Sequence, residues 1–462
     1  VTARGLTLNA GSNSRTCIIR TDRDLTVSGV FNSTAGGFVK TGPGTLRLAN
    51  TGTNKLCTAG DSANWNLIKN WPNNGDSPVP STQTGFGAAV VDEGELVIGA
   101  PGQVMNYATA GSCDFFVGAQ TRGWAYTTNA ATLTVLDGLF NCNKWLYIGH
   151  CFVRDYDAAT GSYAPTYATY NQYGGTVNLE TFAMAYDLGP YNHSCQAVAN
   201  LYGGQMNILS VFRFGQTYNK TGINPPHATI NMYGGVINHY NNTTKPYGTH
   251  MGYYSSAAEG NNAQHRACDA TLNMFGGEFR DVQRIYMGGN ASTSRLNLHG
   301  GKVVCENIFL QNTATGTDYD FFAGGKAYIF WNGGEYWPLG SNSANRTFGG
   351  LTQVTVSTNG AAIDTTYLLP NAVYTVSQSL EHDAALADAD GGFTKRGAGT
   401  LALSGANTFN GWTTVEGGAL RVRNAAALSS NVNVKAGAAL DMDGTVYDVV
   451  NLSGTGASTN GT

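Results

Sequence analysis

The sequence is poor in charge. Lys, Arg, Asp and Glu make up 12% of its 462 residues, against about 25% in an average soluble protein. The net charge is −4 and no basic run occurs, so the composition argues against nucleic acid and acidic membrane surfaces as partners. No apolar stretch is long enough for a membrane-spanning helix. We therefore predict no nucleic-acid binding and no membrane insertion by these residues.

The common signatures of catalysis are also missing. No G-x-S-x-G, P-loop or H-E-x-x-H motif occurs, and these motifs mark the commonest hydrolases, nucleotide-binding proteins and metalloproteases. Clusters of Arg and Asp at 280–284 and 154–157 could act on an acidic polysaccharide, but neither recurs in the neighbouring repeats. Seven of the eight histidines lie between 150 and 299 without a shared spacing. We predict no catalytic residue, no metal and no cofactor.

The eight cysteines form no C-x-x-C pair and show no metal-site spacing. An even count in a polar chain rich in Gly, Asn and Thr is typical of an oxidising compartment. This favours up to four disulfides over the alternative of scattered buried thiols. The disulfide candidates are Cys17, Cys57, Cys113, Cys142, Cys151, Cys195, Cys268 and Cys305.

Glycine is abundant, with 61 residues, about twice the average share of roughly 7%. Many glycines belong to a repeated pair, as in ATLNMFGGEFRDV at 270–282, and the pairs recur every 24 to 42 residues. Columns that keep register near the pair while the total spacing varies are typical of a solenoid with loop insertions. The pairs begin at Gly174, Gly203, Gly234, Gly276, Gly300 and Gly333, with Asp137-Gly138 as a variant copy.

Two asparagine columns flank the glycine pairs. Stacked strands bring equivalent side chains about 4.8 Å apart, so a column of asparagines can form a hydrogen-bonded ladder along the stack. We predict such a ladder for the column three residues before the pair: Asn171, Asn200, Asn231, Asn273 and Asn297. The column four residues after the pair fits either a ladder or turn-capping residues: Asn141, Asn178, Asn207 and Asn238.

An aromatic column stands one residue before the glycine pair. We interpret it as stacked core or corner packing in preference to a ligand platform. Residues alternate in character on both sides of the pair, which is the pattern of a strand with one inward and one outward side. The repeat therefore predicts an all-β fold, a β-solenoid with loop insertions. The aromatic column is Tyr173, Tyr202, Tyr233, Phe275 and His299.

The two ends of the chain carry a second type of repeat. GGFTKRGAGTLAL at 391–403 aligns without gaps on GGFVKTGPGTLRL at 36–48, and SGANTFNGWTTVEGGALRV follows the later copy. Both resemble the autotransporter-associated β-strand repeat of bacterial passengers, although Trp412 stands where that repeat usually has glycine. The resemblance implies a right-handed parallel β-helix, export from a bacterium and an extracellular or cell-surface location. It does not fix an activity.

Long insertions at 186–195, 216–227 and 239–268 are polar and rich in Tyr and Asn. Loops on one side of a solenoid often carry binding. Exposed Tyr beside His can stack on sugars or pack against another subunit; the alternative is that these loops only cover the solenoid. The candidate ligand or subunit contacts are Tyr191, His193, Tyr218, Tyr240, Tyr247, Tyr253 and Tyr254.

We divide the chain into N-terminal coils (1–60), central coils with insertions (61–350) and C-terminal coils (351–462). Neither terminus shows an amphipathic helical cap, and the open end of a parallel stack presents unpaired backbone groups. We therefore predict end-to-end self-association. The leading hypothesis is a secreted, non-enzymatic structural or adhesive surface protein that assembles into fibres. The alternatives are a monomeric carbohydrate-binding adhesin and, third, a polysaccharide lyase or glycoside hydrolase.

Overall fold

The structure is a computed structural model, and all the regular elements in the residues that it describes are β-strands. The described residues are 5–8, 16–33, 37–56, 89–107, 114–119, 130–151, 156–157, 162–163, 166–187, 195–217, 225–240, 248–254, 268–289, 292–310, 324–340, 347–429, 431–446 and 451–459.

The strands are numbered in chain order. The first group is β1 (Leu6–Leu8), β2 (Thr16–Arg20), β3 (Leu25–Val27), β4 (Phe31–Ser33), β5 (Gly37–Thr41), β6 (Thr45–Leu48), β7 (Thr53–Lys55), β8 (Ala89–Val91), β9 (Gly94–Ile98), β10 (Val104–Tyr107), β11 (Phe115–Ala119) and β12 (Ala130–Val135). The second group is β13 (Leu139–Cys151), β14 (Tyr156–Asp157), β15 (Ser162–Tyr163), β16 (Thr166–Gln172), β17 (Thr176–Asp187), β18 (Cys195–Leu201), β19 (Gln205–Thr217), β20 (His227–Met232), β21 (Val236–His239), β22 (Thr249–Tyr254), β23 (Asp269–Met274), β24 (Glu278–Asp281), β25 (Arg284–Met287), β26 (Thr293–Leu298), β27 (Lys302–Cys305) and β28 (Asn307–Leu310). The third group is β29 (Lys326–Trp331), β30 (Glu335–Pro338), β31 (Thr347–Phe348), β32 (Gln353–Val356), β33 (Ala361–Asp364), β34 (Val373–Val376), β35 (Glu381–His382), β36 (Phe393–Arg396), β37 (Thr400–Leu403), β38 (Thr413–Val415), β39 (Ala419–Val422), β40 (Asn431–Val434), β41 (Ala439–Asp441), β42 (Asn451–Gly454) and β43 (Ala457–Thr459).

Successive coils stack their strands in parallel on three faces. The first face is the 12-stranded sheet β3-β6-β9-β12-β16-β18-β20-β23-β26-β29-β32-β35. The second face runs from β1, β4, β7 and β10 through β13, β17 and β19 to β42. The third face runs from β2 to β28. In the later coils its place in the chain order, after a strand of the second face, is taken by the 6-stranded sheet β31-β34-β37-β39-β41-β43.

Three long strands link the second and third faces. β13, β17 and β19 each pair with neighbours on both faces, which joins the two faces into one 23-stranded sheet. β14 and β15 form a small antiparallel pair outside this system.

The core fills the space enclosed by the faces. In β23, Ala270, Leu272 and Met274 are fully buried, whereas the residues between them are only half-buried. The same alternation in each coil produces one continuous apolar cluster from Val27 to Leu440. A fully buried apolar side chain of this size stabilises a fold by about 1.5–3 kcal/mol. The all-β, parallel solenoid predicted from the repeats is confirmed.

In the pairs from Gly174-Gly175 to Gly300-Gly301, the two glycines serve different purposes, whereas in Gly333-Gly334 the first glycine has the positive φ. A Cβ on Gly203 would lie 2.6 Å from the carbonyl oxygen of Tyr173 in the preceding coil. Gly204 has a φ of +76°, and its Cβ would lie 2.5 Å from the carbonyl oxygen of Gly175. The first position therefore needs glycine because the coils approach closely, and the second needs it also because its backbone is left-handed.

The disulfide prediction is wrong for the cysteines that the structure describes. In-register stacking places Leu179 beside Cys142 and Pro338 beside Cys305, so the neighbouring coil does not offer a second sulfur. Burial raises the pKa of the Cys305 thiol well above its usual value, which makes that thiol unreactive. No disulfide is formed by Cys17, Cys142, Cys195, Cys268 or Cys305. The other candidate sulfurs lie outside the described residues: those of Cys57, Cys113 and Cys151.

Candidate functional site

The corner between the first and second faces carries a row of exposed aromatic rings, which we call the ridge. Neighbouring rings are nearly parallel, with interplanar angles from 6° to 10° and centroids 4.7 to 5.1 Å apart. Each aromatic contact of this kind contributes about 0.5–1.5 kcal/mol. The ridge consists of Tyr173, Tyr202, Tyr233, Phe275 and His299.

The ridge lies at a corner, but it is not part of the core. Its Tyr and Phe side chains are between 43% and 51% exposed. The reason is strand alternation, because Leu201 points inward and is fully buried, so the next residue, Tyr202, points outward. Of the interpretation of this column as stacked core or corner packing, the core part is wrong because the side chains are exposed, and the stacking at the corner agrees with the structure.

A ladder of asparagine side chains runs beside the ridge on the first face; we call it the first ladder. In every step, Nδ2 of one asparagine donates to Oδ1 of the asparagine in the preceding coil. The four donor–acceptor distances are 2.9, 2.9, 2.8 and 2.7 Å. The structure thus brings the five residues named from the sequence into one column: Asn171, Asn200, Asn231, Asn273 and Asn297.

A second ladder runs along the second face, on the other side of the ridge. Its steps join Asn106, Asn141, Asn178, Asn207 and Asn238 at donor–acceptor distances from 2.8 to 3.1 Å. Of the two interpretations left open by the sequence, the hydrogen bonds favour the ladder. Asn106 was missed because its coil has Gly102-Gln103 in place of the glycine pair; its position four residues after Gly102 is the signal that could have found it.

A third row lies on the first face next to the first ladder, and we call it the threonine row. Its residues are in register on adjacent strands and are half-buried. The first face between β16 and β23 therefore presents three parallel rows to its outer side: the threonine row, the first ladder and the ridge. The threonine row is Thr169, Val198, Thr229 and Thr271.

The structure describes only part of the tyrosine set named from the insertions. Tyr240 is exposed, and its hydroxyl donates to Oδ1 of Asn207 at 3.3 Å, so it stands beside the second ladder. Tyr253 and Tyr254 end β22, but their side chains are outside the description. The remaining candidates lie outside the described residues: Tyr191, His193, Tyr218 and Tyr247.

A second aromatic cluster, on the outer side of the third face, is buried. Phe116 stacks on Tyr147 with ring centroids 5.0 Å apart, and Tyr186 packs against Tyr147 and His150. Burial lowers the pKa of His150 well below its usual value. These rings pack against one another, and they lack the exposure of the ridge.

The charged cluster at 280–284 is divided between the core and the surface. Asp281 is fully buried, and its carboxylate accepts hydrogen bonds from the backbone and hydroxyl of Thr249, both at 2.7 Å. His239 Nδ1 lies 2.9 Å from the same carboxylate. Arg280 points outward and pairs with Glu278. Among the described residues, no three His, Cys, Asp or Glu side chains converge as a metal site requires.

A buried lysine holds a corner in each of the two end repeats. Lys40 Nζ donates to the carbonyl oxygens of Gly42, Gly44 and Glu93 at 2.5 to 2.7 Å. Lys395 Nζ makes four such bonds, to Oγ1 of Thr365 and to three carbonyl oxygens. Both side chains are fully buried, and burial lowers the pKa of each to about 8. We call these sites the lysine clamps.

The parallel solenoid, its stacked outer rows and the two lysine clamps define a β-solenoid repeat protein. The family model of the passenger-associated-transport-repeat matches residues 38–55 and 393–422, and both segments contain a lysine clamp. Both segments are therefore repeats of the autotransporter passenger type, and the protein is extracellular or at the cell surface.

One relative adds to this result. The chain is 43% identical over 70 residues to Adhesin BmaC autotransporter of Brucella suis biovar 1 (strain 1330). The match covers 14% of this chain and 2% of the relative, so the chain spans a small share of the relative's length. No solved structure matches the chain. In the part of the chain that the structure describes, no helix is long and apolar enough to cross a membrane.

Proposed function

We propose that the chain is a non-enzymatic, adhesive part of a cell-surface passenger, and that the ridge with its flanking ladders is the binding surface. The observation that carries the proposal is the exposure of a continuous aromatic row. Contiguous exposed apolar surface on a soluble protein usually marks an interaction site. The relative described above is named an adhesin, which supports the same function.

The ridge stands at tight corners directly after the strands of the first face, and its flanking ladders stand on the strands themselves, which favours binding of an extended partner. Sites on regular elements hold their geometry better than sites on loops, and a rigid surface loses little entropy on binding. The three interior rings, Tyr202, Tyr233 and Phe275, are each held between two neighbouring rings, and asparagine hydrogen bonds join these coils to one another. The rows therefore form a preorganised surface that repeats with the coil spacing.

An adhesion assay tests the proposal. Beads coated with the chain are applied under flow to epithelial cells and to immobilised extracellular glycans, and retained beads are counted. We expect the double variant Tyr202→Ser, Tyr233→Ser to lose most of the retention. The control Trp412→Ser changes an aromatic residue that is 45% exposed in the C-terminal coils, and it should leave retention unchanged. Equal retention by the double variant and the unchanged chain contradicts the proposal.

The absence of enzymatic activity is part of the proposal and has its own test. Asp281, the carboxylate that the sequence offered for catalysis, is buried in a hydrogen-bonded network. The chain is incubated with calcium and a pectin-like polysaccharide, and unsaturated or reducing products are measured. We expect none, and product formation that depends on the intact chain contradicts this part.

End-to-end assembly of the chain into fibres stays a second proposal. The open edges of parallel sheets offer unpaired backbone groups that a second copy can satisfy. Negative-stain electron microscopy at micromolar concentration distinguishes the cases. Long uniform filaments support architecture as the main role, whereas discrete short rods reject self-assembly by this chain alone.

A further inference from the structure

The ridge exposes ring edges and hydroxyl groups, since its ring faces are covered by neighbouring rings. Tyr202 stacks on Tyr173 at 4.7 Å and on Tyr233 at 5.0 Å, with interplanar angles of 10° and 6°. A sugar therefore cannot lie flat on an interior ring of the ridge. The phenol hydroxyls of the three tyrosines are instead available as hydrogen-bond donors and acceptors, repeated once per coil.

The first ladder keeps part of its hydrogen-bonding capacity for a ligand. A side-chain amide has two N–H donors and an oxygen with two lone pairs. Each ladder step uses one N–H donor of one asparagine and one oxygen lone pair of the asparagine in the preceding coil, as Asn231 donates to Asn200. Interior members such as Asn200 and Asn231 thus keep one donor and one acceptor each. On the second ladder, by contrast, Oδ1 of Asn207 also accepts from Gln205 and Tyr240.

The three outward rows between β16 and β23 hold no charged side chain. The threonine row supplies hydroxyl groups and, at Val198, an aliphatic group, the first ladder supplies amides, and the ridge supplies aromatic rings and phenol hydroxyls. Charged groups stand at the margins of this surface, at His227 and Asp269 beside the threonine row and at Arg295 next to Thr271. Over the rows themselves a charged ligand would lose its hydration without gaining an opposite charge. The chemistry of the rows therefore fits a neutral partner that is rich in hydroxyl groups.

The repeat distance selects among such partners. Equivalent groups on the three rows recur at the strand spacing of about 4.8 Å, and the ridge centroids follow it at 4.7 to 5.1 Å. An extended β-1,4-linked polysaccharide advances along its axis by nearly this distance per sugar. One sugar would stand at each coil, and because neighbouring β-1,4-linked sugars are turned over relative to one another, alternate sugars would present the same groups to alternate coils. A helical α-1,4-linked chain could not follow the rows in this way.

We propose that the outer surface formed by the threonine row, the first ladder and the ridge binds a neutral, extended β-1,4-linked polysaccharide lying along the solenoid axis, one sugar per coil. This inference rests on the proposed adhesive function and names its ligand class. Binding is by repeated hydrogen bonds to asparagine amides and tyrosine hydroxyls.

A length series tests the inference. Cello-oligosaccharides from the disaccharide to the hexasaccharide are titrated into the full chain by calorimetry, with malto-oligosaccharides of equal length as the control. We expect the affinity for the β-1,4-linked series to rise about threefold with each added sugar and to change little with salt. Equal affinity for disaccharide and hexasaccharide, no measurable binding, equal binding of both series, or binding confined to acidic glycans each overturns the inference.

A conservative variant separates ligand binding from folding. Tyr202→Phe removes one hydroxyl and keeps the stacked ring, so the fold should be unchanged. We expect its affinity for cellohexaose to fall about fivefold, the effect of one lost hydrogen bond. Tyr367→Phe, a matched change at an exposed tyrosine in the C-terminal coils, should have no effect. Equal affinities of the Tyr202→Phe variant and the unchanged chain contradict a role of the ridge hydroxyls.

The adhesive function and the ligand class can be disproved separately. If ridge variants abolish bead adhesion while cellohexaose neither binds nor competes, the adhesive function stands and the ligand class is wrong. If the oligosaccharide binds but ridge variants still adhere, the ridge is a glycan site and adhesion resides elsewhere.

Discussion

The central coils and the C-terminal coils build the same solenoid with different side chains. Central coils such as those of β16 to β26 connect to one another through outward asparagine ladders and stacked rings. C-terminal coils connect through charge: Arg396 contacts Glu335 and Glu416, and Lys435 also contacts Glu416. Inside, the C-terminal coils have a lysine clamp at Lys395.

Coils can stack with either set of side chains, and the groups that could contact a ligand are a separate feature of the central coils. The backbone pairing is parallel and in register in both regions, so either set of side chains suffices for stacking. Uncharged, repeated groups are concentrated in the central coils. These coils are also longer, because each one adds a strand on the first face. The C-terminal coils from β36 onward have strands on the second face and the 6-stranded sheet only. We infer that the C-terminal coils support a central region that is specialised for contact.

The largest effect is expected at the glycine corner of the central coils. Gly204→Ala combines backbone strain at φ +76° with the close approach to the preceding coil, so we expect a loss of about 4 kcal/mol. Gly437→Ala tests strain alone, because φ is +77° and nothing lies within 4 Å of its Cβ; about 1 kcal/mol is expected. Amide hydrogen exchange of peptides from each region measures both. Equal losses would show that coil contact adds nothing at the central corner.

A large effect is also expected at the lysine clamp. Lys395→Met leaves three carbonyl oxygens and a hydroxyl group without their buried donor, so the C-terminal coils should lose about 3 kcal/mol. Lys435→Met removes a half-exposed ion pair with Glu416 and should change stability by less than about 0.5 kcal/mol. Hydrogen exchange in β36 to β39 distinguishes the two variants. Similar exchange rates in both would mean that the clamp is dispensable.

The two regions should respond to pH in opposite directions. Burial raises the pKa of Asp114, which precedes β11, to about 7, so this group favours the fold below pH about 4 and that contribution is lost as pH rises through 7. We expect a loss of up to about 4 kcal/mol around β11, which Asp114→Asn should abolish. The hydrogen bond from Lys435 lowers the pKa of Glu416, so that coil loses stability as pH falls. Regional hydrogen exchange at several pH values would contradict this if both regions changed together.

The smallest effect is expected within the first ladder. Asn231→Ala removes two ladder hydrogen bonds in the middle of the column, and the neighbouring half-buried amides can still reach water. We expect about 1 kcal/mol of local destabilisation. Asn143→Ala, at an exposed position of β13, is the matched control and should change little. A larger effect in the control would mean that the ladder does not join the central coils.

Sequence periodicity predicts the solenoid because the glycine corners recur in register. The same register aligns the asparagines in two columns. The sequence could also have predicted the exposure of the ridge, because the alternation that places Leu272 and Met274 inside places Phe275 outside. The disulfide prediction failed because it used composition, whereas the stacking register decides which residue is beside each cysteine. The lysine clamps could not be predicted, since Lys395 reaches Gly417 on the next coil, a contact that depends on the three-dimensional winding.

The asparagine ladders also give the surface a direction. Every step in both ladders has Nδ2 of the later coil pointing to Oδ1 of the earlier coil, so the amide dipoles are aligned head to tail. Aligned hydrogen bonds polarise one another, and the two columns point the same way on both sides of the ridge. A polysaccharide has chemically different ends, and on such a surface its two orientations would have different energies, so each bound chain would lie with the same polarity.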